Sequence, residues 1–205
     1  MTLNSNLHFW SNVSGIYDVI MKKSRTAYSQ MYALIRERLT PDMQVLELAT
    51  GTGLIAIAVA SSAKSIEAID FSPDMIAIAK RKLTPPNVHF SVHDACNLPY
   101  ADDSFDCAII SNALHIMPNP EVALQNIHRV LKRDGLLIAP TFVHASSGIR
   151  GRISAQLMAL VGFKLHHRWT AAEYRTFLEN NGFLVQRIKI LKSNFPLAYI
   201  EAVKQ

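Results

Sequence analysis

Residues 45–53, VLELATGTG, constrain the fold of this chain more than any other stretch. Val45, Leu46 and Leu48 form a short apolar run, which is typical of a central strand in a parallel sheet. Residues 54–60 are apolar and rich in alanine, as expected for a helix packed behind that strand. The order of strand, glycine turn and helix predicts the first half of a strand-helix-strand unit.

The loop within this motif is suited to a ligand. Gly51 and Gly53 let the backbone turn tightly and leave space for a ligand, and they direct the free N–H groups of the next helix toward it. Glu47 is a carboxylate at the mouth of an apolar strand, where desolvation is costly unless a positive charge or a donor compensates. The loop therefore predicts a ligand that is cationic or rich in hydroxyl groups.

A second acidic residue follows at the spacing of a nucleoside-binding site. Residues 66–69 form another apolar run, and Asp70 ends it, nineteen residues after Gly51. Neighbouring parallel strands bring such acids to one crevice, and a carboxylate about 20 residues beyond the glycines binds ribose hydroxyls. The pattern predicts a nucleoside cofactor and leaves two classes open, nicotinamide dinucleotides and S-adenosylmethionine.

The next signature lies in residues 93–106, where Asp94-Ala95 precedes Leu-Pro and a Phe-Asp pair precedes another apolar strand. Together with the glycine loop, Asp70 and a late Leu-Lys-x-x-Gly run, it resembles the class I S-adenosylmethionine-dependent methyltransferases. The similarity is to their small-molecule, type 11 branch, which includes ubiquinone/menaquinone-biosynthesis and phospholipid N-methyltransferase-like enzymes. It extends from about residue 17 to residue 142.

The chain departs from the family pattern in two places. Ala49 and Thr50 stand where the family usually has glycine and cysteine, and the late run keeps only Gly135 of two paired glycines. Alanine and threonine are small, so we expect the loop to keep its fold. Its contacts with the methionine end of the cofactor are where a difference would arise.

The resemblance implies an α/β fold, with a Rossmann-like, seven-stranded, mostly parallel sheet, an antiparallel edge strand and helices on both faces. At 205 residues, the chain is predicted to be one domain. We divide it into a cap region over residues 1–40, a cofactor-binding core over 44–142 and a substrate-side region over 143–205. The last region is expected to end in a strand pair, 183–191 and 198–202, whose second strand would be the antiparallel edge.

The resemblance also assigns the cofactor site. Glu47 and the glycine loop would hold the methionine end, Asp70 the ribose and Asp94 the adenine amino group. The set predicted to bind S-adenosylmethionine, and its product S-adenosylhomocysteine, is Tyr17, Glu47, Ala49, Thr50, Gly51, Thr52, Gly53, Asp70, Phe71, Met75, Asp94, Ala95 and Asn112.

Two residues are candidate catalytic groups. His115 follows the fourth predicted strand, where a neutral imidazole can accept a proton from an acceptor hydroxyl or amine near pH 7; its alternative role is structural. In resembling enzymes, a tyrosine in the position of Tyr17 closes over the methionine end of the cofactor. The predicted reaction is in-line attack on the sulfonium methyl group. The alternatives are an NAD-dependent oxidoreductase and a non-catalytic nucleoside-binding module.

The acceptor is predicted to be a small molecule. The Asn/Asp-Pro-Pro-Tyr/Phe run of the amino-methyltransferases of DNA and protein is absent, while the acceptor atom stays open among oxygen, nitrogen, carbon and sulfur. An apolar stripe predicts a helix over residues 148–163, either as core or as a cover over an apolar substrate. A basic patch beside it would suit an anionic substrate or a membrane headgroup: Arg150, Arg152, His166, His167 and Arg168.

Composition and charge exclude other classes. The net charge of +5 is spread over scattered basic pairs, so no nucleic-acid partner is predicted. No apolar stretch reaches the roughly 18 residues of a membrane span, and the first residues lack the pattern of a secretion signal, so a soluble cytoplasmic protein is predicted. Cys96 and Cys107 lack the spacing of metal ligands, so no metal is predicted. The sequence indicates no oligomeric state.

Overall fold

The structure is a computed structural model, and it describes residues 25–143, 166–192 and 196–205. Tyr17, Arg150, Arg152 and the helix predicted over residues 148–163 lie outside the described residues. In chain order, the elements are α1 Arg25–Arg38, β1 Gln44–Leu48, α2 Leu54–Val59, β2 Ser65–Asp70, α3 Pro73–Lys80, β3 Val88–Val92, β4 Phe105–Ile110, α4 Pro120–Val130, β5 Leu131–Ile138, β6 Thr141–Phe142, α5 Ala171–Asn180, β7 Phe183–Leu191 and β8 Leu197–Lys204, with short 3-10 turns at Ala60–Ser62 and Leu114–Ile116.

Within the described residues, eight strands form one sheet. Its order is β3-β2-β1-β4-β5-β8, and β6 and β7 also pair with β8. The strands β1 to β5 are parallel, and β8 is antiparallel to β5, β6 and β7. The predicted Rossmann-like, mostly parallel sheet is therefore confirmed.

The sheet has an eighth strand because the strand position beside β8 is divided between β5 and β6. Ile138 of β5 pairs with Glu201, and Thr141 of β6 pairs with Ala198, so β5 and β6 follow one another along β8 in the same register. Pro140 lies at the interruption, where it has no N–H to donate to a neighbouring strand. The sheet thus has the seven strand positions that the sequence predicts.

The antiparallel strand β8 lies one position inside the edge, and not at the edge as predicted. The edge is formed by β7, which pairs with β8 along its length. The first six residues of β8 are buried, whereas β7 alternates between buried and exposed side chains over its first four residues and leaves Leu184 and Ile190 about half exposed, at 46% and 48%. A nearly continuous apolar run suits an interior strand, and a half-exposed strand suits the edge.

Helices cover both faces of the sheet because strand side chains alternate between two apolar cores. Val45 and Cys107 face the core that includes α1, α2 and α3, while Leu46 and Ala108 face the core that includes α4 and α5. This layering leaves the carboxyl edge of the sheet for the loops that carry the predicted site. In the described ranges, no helix combines the length and apolarity needed to cross a membrane.

Candidate active site

The glycine loop joins β1 to α2 and crosses the end of β2. Three of its residues have positive φ angles, Ala49 at 53°, Gly51 at 56° and Gly53 at 76°. The Thr50 N–H donates to the carbonyl oxygen of Ile69 over 2.9 Å, which fixes the loop to β2. The backbone therefore turns sharply at the carboxyl edge, as the glycine pattern predicts.

Gly53 is required by packing as well as by backbone conformation. A Cβ atom at this position would lie 2.5 Å from Cζ of Phe90 and 3.4 Å from Cβ of Ala79. The adjacent Thr52 is fully buried, and its carbonyl oxygen accepts a hydrogen bond of 2.8 Å from Lys82 Nζ. The loop is thus packed directly on β3 and α3.

Glu47 lies on β1 beneath this loop, with only 2% of its surface exposed. Its Oε2 atom has no hydrogen-bond partner among the described residues. Burial raises the pKa of this carboxyl to about 8, although the neighbouring Thr50 side chain and the Ala56 N–H oppose the rise. A buried, orphaned carboxyl oxygen is satisfied by a cation or a donor, which is the ligand property that the sequence predicts.

Asp70 connects the end of β2 to the glycine loop. Its Oδ2 accepts the Gly51 N–H and its Oδ1 accepts the Ser72 N–H, each over 2.8 Å. Burial raises the pKa of Asp70, and these two N–H groups oppose the rise. The carboxylate therefore fixes the loop, a role that sequence reasoning missed. The Phe71 N–H also donates to this carboxylate, so less acceptor capacity is left for a ligand hydroxyl, and the predicted ribose contact stays a prediction.

Four further predicted contacts follow β2 and β3, namely Phe71 and Met75 after β2 and Asp94 and Ala95 after β3. Phe71 is 42% exposed, whereas the side chain of Met75 is buried in the core. Asp94 follows β3, and its Oδ1 accepts the Cys96 N–H over 2.8 Å, while Ala95 is buried. Because the last residue of β3 pairs with Asp70, the carboxylates of Asp70 and Asp94 leave neighbouring strands at the same edge.

Asn112 joins three elements at the end of β4. Its Nδ2 donates to Tyr28 Oη over 3.1 Å and to Ser111 Oγ over 3.3 Å, and its Oδ1 accepts the Phe142 N–H over 3.1 Å. Its φ is 53°, so the backbone turns here as well. The carboxamide therefore connects α1, β4 and β6, and its contact with a cofactor stays a prediction.

His115 lies in the 3-10 turn beyond β4, on the same edge of the sheet. Its Nδ1 is 3.0 Å from Thr141 Oγ1, and both residues are buried, at 7% and 1% exposure. Its carbonyl oxygen accepts the N–H groups of His166 and His167 over 3.1 and 3.0 Å. The imidazole is thus held in place, as a general base or a structural histidine would be.

The predicted basic patch is described at three of its five residues. His167 stacks on Trp169 with a centroid distance of 5.0 Å, and Trp169 stacks on Phe177 at 4.6 Å. Because the backbones of His166 and His167 also bond to His115, both histidines belong to the packing around that residue. Arg168 is exposed.

Sequence reasoning missed several residues that contact the predicted site residues or their loops. Thr141 contacts His115, Lys82 contacts the glycine loop, and Asn126 and Arg129 of α4 contact the loop after β3. The three-residue spacing of Asn126 and Arg129 places them on one side of a helix, which is visible in the sequence. Only the tertiary structure shows which loop that side meets.

Comparison with known proteins gives a consistent result. Residues 46–139 match the family model described as a methyltransferase domain. A demethylmenaquinone methyltransferase of Renibacterium salmoninarum is 37% identical over 108 residues, which are 53% of this chain and 45% of the relative. The corresponding enzyme of Clavibacter sepedonicus is 32% identical over 137 residues, 65% of this chain and 56% of the relative. The chain spans about half the length of the curated relatives it matches.

Solved structures support the fold. A methyltransferase in complex with the Haloferax volcanii Trm112 methyltransferase activator has a TM-score of 0.82 and 18% identity, covering 95% of this chain and 97% of that chain.

The matched range of the family model contains Glu47, the glycine loop, Asp70, Asp94 and His115. The residues that the sequence assigns to cofactor and catalysis therefore lie, apart from Tyr17, in the part of the chain that matches the family.

Replacing Ala49 by glycine is expected to stabilise the protein. A Cβ in the left-handed region costs roughly 1–2 kcal/mol, and Ala49 has a φ of 53°. We expect Ala49→Gly to raise the free energy of unfolding in urea by roughly 0.5–1 kcal/mol, after the greater flexibility of glycine in the unfolded chain is subtracted. Ala60→Gly is the matched control, because Ala60 has a φ of −51°, so this variant should lose stability. A loss in both variants would contradict the strain at Ala49.

Burial of Glu47 predicts a pH dependence of stability. Its pKa rises from 4.5 to about 8 on folding, so between these values the unfolded chain ionises while the folded carboxyl keeps its proton. Stability is therefore lost as the pH rises from about 5 to about 8, by a few kcal/mol. Glu47→Gln should remove the part of this pH dependence that comes from Glu47. The measurement is the difference in unfolding free energy between variant and wild type at pH 5, 6.5 and 8. A difference independent of pH would show that Glu47 does not titrate in this range.

Proposed function

We propose that this chain, whose residues 46–139 match a methyltransferase domain, transfers a methyl group from S-adenosylmethionine to a small-molecule acceptor. The proposal is carried by the orphaned Oε2 of Glu47 beneath the glycine loop, at the same sheet edge as Asp70 and Asp94. A ligand that suits these three carboxyl groups has a cationic group, vicinal hydroxyls and a base with an amino group. S-adenosylmethionine has all three.

The residues present fit this cofactor. Glu47 would accept hydrogen bonds from the ammonium group of the methionine end, which would lower the cost of its buried charge. The remaining acceptor capacity of Asp70 would bind a ribose hydroxyl, and Asp94 would accept a hydrogen bond from the adenine amino group. Ala49 to Gly53 would approach the methionine end through backbone atoms, since that loop has small side chains.

His115 would be the general base. Bound S-adenosylmethionine supplies a methyl group on a sulfonium, so the protein mainly orients the acceptor and excludes water. As the acceptor atom forms its bond to the methyl group, an O–H or N–H of the acceptor loses its proton, and the imidazole of His115 would take it. Thr141 would hold the ring in the orientation that this transfer requires.

We propose a quinone-related ring as the acceptor. The Renibacterium and Clavibacter relatives are named demethylmenaquinone methyltransferases. The reduced ring carries a phenolic hydroxyl, and loss of its proton to His115 would make a ring carbon a better nucleophile. After that carbon takes the methyl group, its C–H proton would move to the ring oxygen, which restores the aromatic ring. The backbone of His167 contacts His115, and its ring begins a stack that continues through Trp169 to Phe177 of α5. These rings would offer a flat apolar surface.

Calorimetric titration of the purified chain with S-adenosylhomocysteine and, separately, with NAD tests the cofactor class. We expect micromolar binding of S-adenosylhomocysteine and none of NAD. Transfer of an isotopically labelled methyl group from S-adenosylmethionine to reduced quinones, phenols, amines and thiols then tests the acceptor. Binding of NAD alone would overturn the proposal, and cofactor binding without transfer to any acceptor would reduce it to a nucleoside-binding module.

The role of His115 is tested by its replacement. His115→Gln should lower kcat about 100-fold or more, because a positioned general base contributes at least that factor, while the Kd of S-adenosylhomocysteine stays within about twofold. His89→Ala is the control, since His89 is exposed on β3 and should leave turnover unchanged. Wild-type turnover in His115→Gln would assign His115 a structural role and leave the acceptor to ionise unaided.

A further inference from the structure

We propose that Asn126 of α4 is a positioning residue, which fixes the turn after β3 and thereby aims the Asp94 carboxylate at the amino group of adenine, while Arg129 fixes the part of the loop that follows. The inference rests on the proposed function, because it deepens the account of the same cofactor site. Neither residue belongs to the set predicted to bind the cofactor. Both lie on α4, and their side chains form hydrogen bonds with the backbone of the loop after β3.

Asn126 holds the middle of this loop with both ends of its carboxamide. Its Nδ2 donates to the carbonyl oxygen of Cys96 over 2.9 Å, and its Oδ1 accepts the Leu98 N–H over 3.3 Å. The same Nδ2 donates to the carbonyl oxygen of Val122 over 3.0 Å, one turn earlier in α4. The side chain is therefore fixed to its own helix and cannot turn without breaking a bond to the loop.

Arg129 holds the next part of the loop. Its Nη2 donates to the carbonyl oxygen of Leu98 over 2.9 Å, and its Nη1 donates to that of Tyr100 over 2.7 Å. Nη1 also forms a salt bridge with Asp102 Oδ1 over 2.9 Å. A guanidinium presents its donors in a rigid plane, so these contacts fix the direction of the loop as well as its distance from α4.

The link from α4 to Asp94 passes through one residue. The Cys96 N–H donates to Asp94 Oδ1 over 2.8 Å, and the Cys96 carbonyl oxygen accepts from Asn126. The Asn97 N–H adds a bond of 3.0 Å to the carbonyl oxygen of Asp94. Because Oδ1 is held by Cys96, the direction of Oδ2 is fixed too. Two hydrogen bonds in series therefore connect the helix to the carboxylate.

This arrangement favours a ligand with an N–H donor at a fixed place. A carboxylate that is already oriented loses little freedom when a donor binds, so the binding free energy of that donor is retained. If the turn is released, Asp94 has to be ordered during binding, and the preference for a base with an amino group falls. We therefore expect the ratio of the affinities for ligands with and without the amino group to fall, in addition to any general loss of affinity.

The test compares S-adenosylhomocysteine with its 6-deamino analogue, in which hydrogen replaces the adenine amino group. In calorimetric titrations of the whole chain, we expect the wild type to prefer S-adenosylhomocysteine about tenfold or more, the usual effect of a hydrogen bond to a charged group. In Asn126→Ala, the preference should fall to within about threefold. Gln125→Ala is the matched control, because Gln125 is the exposed neighbour on α4 and should keep the wild-type preference.

If Asn126→Ala does not fold, Asn126→Asp tests the same hydrogen bond. Aspartate keeps an acceptor for the Leu98 N–H but has no donor for the carbonyl oxygen of Cys96, so it should lose the preference as well. General destabilisation would weaken both ligands equally and leave the ratio unchanged, which would overturn the positioning role. Equal binding of both ligands by the wild type would overturn the Asp94 contact, and with it this inference. A wild type that does not bind S-adenosylhomocysteine would overturn the proposed function itself.

Discussion

The hydrogen bond from the Gly51 N–H to Asp70 is the contact on which the candidate site depends. It joins the glycine loop to the end of β2, and the other oxygen of the same carboxylate receives the Ser72 N–H at the start of α3. One partly buried acid therefore sets the relative positions of a strand end, a loop and a helix. Since all three are fixed by protein groups, the site is formed before a ligand arrives, which reduces the ordering cost of binding.

The parallel half of the fold could be predicted because its signals are local. The apolar run of β1, the two glycines and the acid that ends β2 each follow from the needs of one strand or one turn, and the sheet confirms them. The cost of burying Glu47 was also visible from its apolar neighbours. The position of β8 was not, because the order of the last strands depends on which of them is buried on both faces.

The supporting contacts of the site could not be predicted, since they join residues far apart in the chain. Asn112 and Phe142 are 30 residues apart, and Asn126 and Cys96 are also 30 apart. Thr141 is recognisable as a partner of His115 only after β6 has been placed beside the turn that follows β4. Likewise, Ala49 departs visibly from the family pattern, but its left-handed backbone follows from the path of the loop.

The contact between Gly53 and Phe90 restricts how this site can change during evolution. The ring of Phe90 occupies the space that a side chain at position 53 would need, so position 53 cannot gain a side chain while Phe90 is present. A smaller residue at position 90 has to appear first, and that intermediate carries a void between β3 and the glycine loop. Such a path passes through a less stable protein, so this pair is an epistatic barrier even though neither residue performs chemistry.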